Sequence, residues 1–398
     1  MPVTAGSILE AERLALPYDG VVQVKAGRNE GTGTLLYDGR AILTAAHIIN
    51  GINTANDVSV TFSINGRRIE QAIAQYSIHP DYDIPSNNYD LALVWLNEPA
   101  PTASDRHQLY RADDEIGQIS KFIGYGATGT GWQGLVFSGD NDRRLVENRI
   151  DTEAAALKSS LGAAMGWQPA QGEQLLVDFD NGLAGNDAFG VLTGQTGLGL
   201  GNNEGLIARG DSGGPALIDN QIAGIASYTV SLSLGIIDPD IDNATNSTYG
   251  EIAGLQRISS NQQWIDQQMR SQYPDAPQSP DEVSETVIEG DTGSSYAYFM
   301  LQFTGERDSP NQLLSVKYRT KEGTAKAGED FIATEGVLVL YPDETEAVIP
   351  VEILGETGPE GDESFSLTVY DPVGGSFGPS VEELTATRVI TDDDGLMV

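Results

Sequence analysis

"ARGDSGGPAL", residues 208–217, gathers an acid, a hydroxyl and three glycines around Ser212 before returning to an apolar run. Glycine is disfavoured inside strands and helices, so such a cluster marks backbone that takes unusual dihedrals or lets another group approach closely. Ser212 stands just ahead of "PALIDNQIAGIASY", residues 215–228, two apolar runs separated by Asp-Asn. That reads as a strand pair with the serine presented on the turn leading into it. A free serine is a weak nucleophile and needs a base, itself oriented by a third group.

Candidate bases are few. The chain has three histidines, His47, His79 and His107, and all precede Ser212. "GDSGG" satisfies the G-x-S-x-G elbow of α/β-hydrolases, but that arrangement takes its histidine after the serine, so it is excluded by order. A His, Asp, Ser order remains, the one used on a double β-barrel. His79 and His107, outside that order, are expected at the surface.

The rest of the chain agrees with a β-rich protein. From Val21 to Arg257 apolar residues come in short runs such as "VVQVKAG", "DVSVTFSI", "LALVWL", "QLLVDFD" and "QIAGIASY", punctuated by Gly, Asn and Asp. "SSNQQWIDQQMRSQ", residues 259–272, predicts a helix with a serine cap and Trp264, Ile265 and Met269 at helical spacing. "YPDAPQSPDEV" follows with three prolines and reads as a linker, after which "YAYFMLQF", "AVIPVEIL", "SFSLTVY" and "TATRVI" resume strand alternation. The domains are therefore expected at 1–272 and 282–398, joined by 273–281. Two domains also suit 398 residues.

Charge narrows the partners. With 22 basic and 58 acidic residues the formal charge is -36, which repels nucleic acid and anionic membrane. Residues 281–398 hold 25 acids against 6 bases, so the smaller domain is the more densely charged. The absence of cysteine removes disulfides and thiolate metal sites. No run is apolar enough to span a membrane as a helix, and the first 30 residues lack the order of an export signal.

"GTLLYDGRAILTAAHIIN", "HPDYDIPSNNYDLALVWL" and "GDSGGPALIDNQIAGIASY" resemble the three signature regions of trypsin/chymotrypsin-like serine proteases, over about residues 15–272. The resemblance implies a double β-barrel of the chymotrypsin type closed by a C-terminal helix. It makes His47 the general base, Asp90 its orienting carboxylate and Ser212 the nucleophile, with the N–H groups of Gly210 and Ser212 as oxyanion hole. The separation of 122 positions from Asp90 to Ser212 exceeds the family's usual interval, implying an insertion between Thr128 and Glu204. Where trypsin-like members carry a pocket-floor acid this chain has Leu206, so Leu206 and Ile207 are expected to make an uncharged primary pocket. Ser227 and Tyr228 are expected on the strand that pairs with substrate. Many members pair a freed amino terminus with the acid before the serine, here Asp211, and "VTAG" from Val3 is the candidate terminus.

The C-terminal stretch carries its own resemblance over residues 282–395. "VIEGDTG", "VKYRTKEGTAKAGEDFIATEGVLVLYPDETEAVIPVEIL", "EGDESFSLTVYDP" and "VITDDDG" are similar to a Calx-beta domain, an immunoglobulin-like β-sandwich that often binds calcium. The resemblance implies Ca2+ ligands at Glu289, Asp330, Glu360, Asp392, Asp393 and Asp394. Glu356 stands where the family more often has Asp, and "LGETG" replaces a usual acidic pair. The combined expectation is a secreted or cell-surface endopeptidase acting on protein or peptide, after apolar or small residues. The alternative is an adhesion or binding protein on a protease scaffold with an idle triad.

Overall fold

A computed structural model describes residues 2–136 and 142–394. Gly395, the end of the Calx-beta-like stretch, lies outside them. The chain separates into two compact units, residues 1–36 with 40–265 and residues 37–39 with 266–398. Among the described residues no helix is long and apolar enough to cross a membrane.

In the larger unit six strands close into a barrel in the order Val21–Ala26, Asn29–Leu35, Ala41–Thr44, Ala92–Leu96, Arg67–Ile78, Val58–Ile64. "VSVTFSI" alternates buried and half-buried residues, so one face packs inward. "ALVWL" is buried throughout, as its unbroken apolar run requires. Asn65 and Gly66 both have positive φ, 49° and 74°, which matches the right-handed twist of the hairpin they join.

A second sheet has the order Arg144–Arg149, Ile119–Gly124, Pro215–Ile218, Gln221–Val230, Ile252–Arg257, Gln174–Asp178, Thr152–Glu153. Its two edges are successive pieces of one segment. At Ile150 and Asp151 the chain changes partner, the N–H of Ile150 bonding to Gln118 and that of Asp151 to Leu176, both at 2.9 Å. The sheet thereby curls back on itself around Phe122, Val146, Leu175, Val177, Phe179 and Leu255. The double-barrel expectation holds for this unit.

Three local expectations are corrected. His79 and His107 are buried, at 7% and 4% exposure. His79 stacks on Tyr89, with ring centroids 4.9 Å apart, and its Nδ1 accepts from the Asp81 N–H, while His107 Nδ1 meets the Asn220 carbonyl at 3.2 Å. Burial pushes both imidazoles below their usual pKa, so each is held neutral. The helix runs only over Gln262–Arg270, because the hydroxyl of Ser259 donates to Glu115 (2.6 Å) instead of capping it.

The smaller unit is a sandwich. One sheet has five strands, Thr286–Ile288, Glu383–Thr391, Glu363–Val373, Leu314–Glu322 and Glu335–Leu340, in that order. The other pairs Ser294–Gln302 with Glu346–Leu354. Phe299 of the pair meets Phe365 of the five edge to face at 5.8 Å, and Phe331 stacks on Phe365 at 4.6 Å, so aromatic rings fill the layer between the sheets.

Candidate active site and carboxylate cluster

The strand Ala41–Thr44 runs into a one-turn helix, Ala46–Ile49, that carries His47. Its partner Ala92–Leu96 places Ala92 opposite Thr44, which sets the residues just before Ala92 beside the helix. Asp90 is fully buried there. Its Oδ1 accepts the His47 backbone N–H at 2.8 Å, and its Oδ2 lies 2.7 Å from His47 Nδ1. The imidazole is 35% exposed, whereas the Asp90 carboxylate it meets is closed to solvent. An imidazole held this way keeps its proton on Nδ1 and leaves Nε2 free to accept one.

Asp90 has a third donor that the residue pattern did not reveal. Ser227 Oγ donates to Oδ2 at 2.5 Å. Register between Gln221–Val230 and Ile252–Arg257 slips between Ala226 and Tyr228, so Ser227 is a bulge residue turned towards the first barrel.

The serine loop docks onto that barrel through Thr32. The Thr32 N–H donates to the Ser212 carbonyl (2.8 Å), Thr32 Oγ1 donates to the Gly210 carbonyl (3.0 Å), and Thr44, three residues before His47, donates to the Thr32 carbonyl (2.7 Å). Gly213 has φ 82°, and a Cβ there would fall 2.2 Å from Thr44 Oγ1 and 2.9 Å from Ala45 N. Only a glycine lets this loop approach the His47 helix so closely. Gly210, at φ 100°, would place a Cβ 2.7 Å from the Gly126 Cα.

Backbone N–H groups on either side of the serine are spoken for: Asp211 bonds to Ala208, Gly213 to Ala226 and Gly214 to Asp211. Those of Gly210 and Ser212 have no partner among the described residues. The Asp211 side chain turns inward, accepting from the N–H groups of Gly126 (2.9 Å) and Ala208 (2.8 Å), and burial pushes its carboxyl up. Val3 and Thr4, where the candidate terminus begins, form a strand paired with Gly205–Leu206.

The expected pocket residues fare differently. Leu206 and Ile207 are not brought to a surface, being 0% and 4% exposed and packed in the core with Val3, Phe179 and Tyr249. Antiparallel pairing with Val3 is what draws Leu206 inward. Tyr228 is half-buried, donating to Gln174 Oε1 at 2.7 Å, with Trp167 edge-on to its ring.

In the sandwich the topology gathers acids at one end. Thr286–Ile288 runs parallel to Glu383–Thr391, so Glu289 follows one strand beside Asp392 on the other, and its N–H bonds to the Thr391 carbonyl. Carboxylate oxygens of Glu289, Glu356 and Glu360 lie within 4.8 Å of one another. Asp392 Oδ2 accepts the Glu360 N–H (2.8 Å) and Asp393 Oδ1 that of Gly290 (3.0 Å). Glu289 is buried with Oε1 unpartnered, and desolvation, then Glu356 and Glu360, push its carboxyl to about 7. Asp330 joins the group electrostatically, and Asp394 feels Asp291, Asp392, Asp393 and Glu356. Glu363, absent from the expected ligands, is pushed to about 7 by desolvation and by Asp330. A cluster of hard oxygens with mutual repulsion and a bare buried acceptor fits a calcium ion.

The larger unit thus docks a serine loop onto the barrel that carries the His47–Asp90 pair, and the smaller unit is an acid-tipped sandwich. Comparison gives the families: the trypsin model matches residues 7–142 and the Calx-beta domain model residues 297–394, so the chain carries a trypsin-family segment followed by a Calx-beta domain. The trypsin match contains His47 and Asp90 and ends before Ser212. Human sodium/calcium exchanger 2 is 34% identical over 108 residues, 24% of this chain and 12% of that protein. Mouse transmembrane protease serine 11E is 27% identical over 139 residues, 33% of this chain and 32% of that protein. The chain thus spans a third or less of the length of these curated relatives. Among solved structures, neuropsin, a serine protease of mouse brain, superposes with a TM-score of 0.45 at 18% identity, covering 63% of this chain and 95% of its own.

Proposed function

We propose that the protein is a serine endopeptidase in which His47, Asp90 and Ser212 form the catalytic triad. The observation that carries this reading is the buried Asp90 carboxylate, which takes both His47 N–H groups and the Ser227 hydroxyl while the serine loop is docked beside it. Ser212 Oγ attacks the scissile carbonyl, His47 Nε2 takes the serine proton, and Asp90 offsets the imidazolium charge. The N–H groups of Gly210 and Ser212 receive the oxyanion. His47 then protonates the leaving amine, and water activated by His47 releases the acyl group and restores Ser212.

The domains are 1–272 and 282–398 with 273–281 between them, and the second holds Ca2+ through Glu289, Asp330, Glu356, Glu360, Asp392, Asp393 and Asp394. The chain acts outside the cell or at its surface on protein or peptide, with preference for apolar or small residues before the scissile bond. Hydrolysis of casein by wild type and by Ser212→Ala tests the reading. A folded Ser212→Ala chain should lose activity by several orders of magnitude, and retained activity sinks the proposal.

A further inference from the structure

The insertion ahead of the serine loop contains a second, buried group of acids. The strand Gln174–Asp178 ends at Asp178, Asp180 follows two residues on, and Asp187 caps the helix Ala188–Thr193 through its Oδ1, which accepts the Gly190 N–H. All three are at most 4% exposed, and one oxygen from each lies within 4.8 Å of the others. That separation is about twice a calcium–oxygen bond, so one ion reaches all three. A pocket of about 430 Å³ opens among them, lined also by Asp151, Gly197 and Gly199.

The decisive atom is Asp180 Oδ1. It is buried and has no hydrogen-bond partner, whereas Asp178 Oδ2 takes the Phe189 N–H (3.1 Å) and Asp187 Oδ2 the Gly197 N–H (3.0 Å). A buried carboxylate oxygen without a partner is costly unless something positive meets it. Two further carboxylates surround the group. Asp151 accepts the Asp178 N–H, and Glu204 accepts those of Asp180 and Leu200. Among the described residues lining this pocket the cation is Arg149, which is exposed and donates to the Gly117 carbonyl.

We propose that Asp178, Asp180 and Asp187 bind a calcium ion inside the larger unit, separate from the acids at the end of the sandwich. The ion would tie strand 174–178 to the helix at Asp187 and to the Gly197–Glu204 return, the segment that leads into Ala208–Ser212. This inference stands whether or not the triad is active.

Calcium titrated calorimetrically into the chelator-treated full chain tests it. A chain with the sandwich acids replaced, Glu289→Gln, Glu356→Gln and Glu360→Gln, should still bind one calcium. Adding Asp180→Asn, which removes no existing hydrogen bond, should weaken that binding at least tenfold. Hydrogen exchange gives a reading independent of variant folding: in the sandwich variant, the amides of Gly197 and Leu200 should exchange at least tenfold more slowly with calcium than with chelator. No calcium bound by the sandwich variant, undiminished binding after Asp180→Asn, or unchanged exchange at those amides overturns the proposal.

Discussion

Replacing Asp90 by Asn changes one atom and disables the histidine. The carboxylate takes three donors, His47 N–H on Oδ1 and both His47 Nδ1–H and Ser227 Oγ on Oδ2. An amide has one oxygen. If that oxygen stays with His47 Nδ1, the NH2 group faces the His47 backbone N–H, two buried donors together, at about 1–3 kcal/mol for the unmatched group. If the amide turns over, NH2 faces Nδ1 and selects the tautomer with its proton on Nε2, which cannot take a proton from Ser212. The flipped amide suppresses the reacting tautomer, and both outcomes remove the charge that offsets the imidazolium. In triads of this geometry that loss is roughly 10⁴-fold in kcat, about 5 kcal/mol of barrier. The assay is kcat and KM on an ester substrate, with thermal melting as the control. The expectation is a fall of that order with KM little changed, and a folded Asp90→Asn chain within tenfold of wild-type kcat refutes the reasoning.

Calcium at one hundred times its Kd should raise the stability of the sandwich by about 2.7 kcal/mol, read by calorimetry as a shift of its transition; Glu289→Gln with Glu360→Gln should abolish the shift. Glu251 is fully buried, its Oε2 unpartnered, and burial pushes its carboxyl from 4.5 to about 7. The native state therefore holds this proton more tightly than the unfolded chain between those pH values. In chelator Glu251 should contribute a loss of up to about 3 kcal/mol to the larger unit as pH rises from about 4.5 to 7, and denaturant titrations of Glu251→Gln should lack that part of the slope.

The members of the proposed triad stood out in the sequence because each sits against a strand whose apolar pattern is unmistakable: "AILT" before His47, "LALVWL" after Asp90, "PALI" after Ser212. The pattern around Ser227 predicts a strand that pairs with substrate, and it hides the bond to Asp90 because a bulge exists only in the pairing of two strands. Leu206 looked like a pocket wall, but its neighbour across the sheet, Val3, is two hundred residues away in sequence and draws it into the core. His79 and His107 were placed outside by polarity, whereas ring stacking and a backbone carbonyl satisfy them inside. "DFDNGLAGND" holds the three aspartates of the buried acid group, but at and after the end of an apolar strand such residues look like ordinary turn punctuation. In the sandwich the acids were legible by position, except Glu363, whose proximity to Asp330 depends on the fold.

The central claim is that Ser212 is a nucleophile activated by His47. A serine-directed phosphonate incubated with the native chain and read by intact mass tests this most directly. One adduct should form, map to the peptide containing Ser212, and be absent from Ser212→Ala and strongly slowed in His47→Ala. A folded chain that takes up no phosphonate, or takes it up at another serine, contradicts the account.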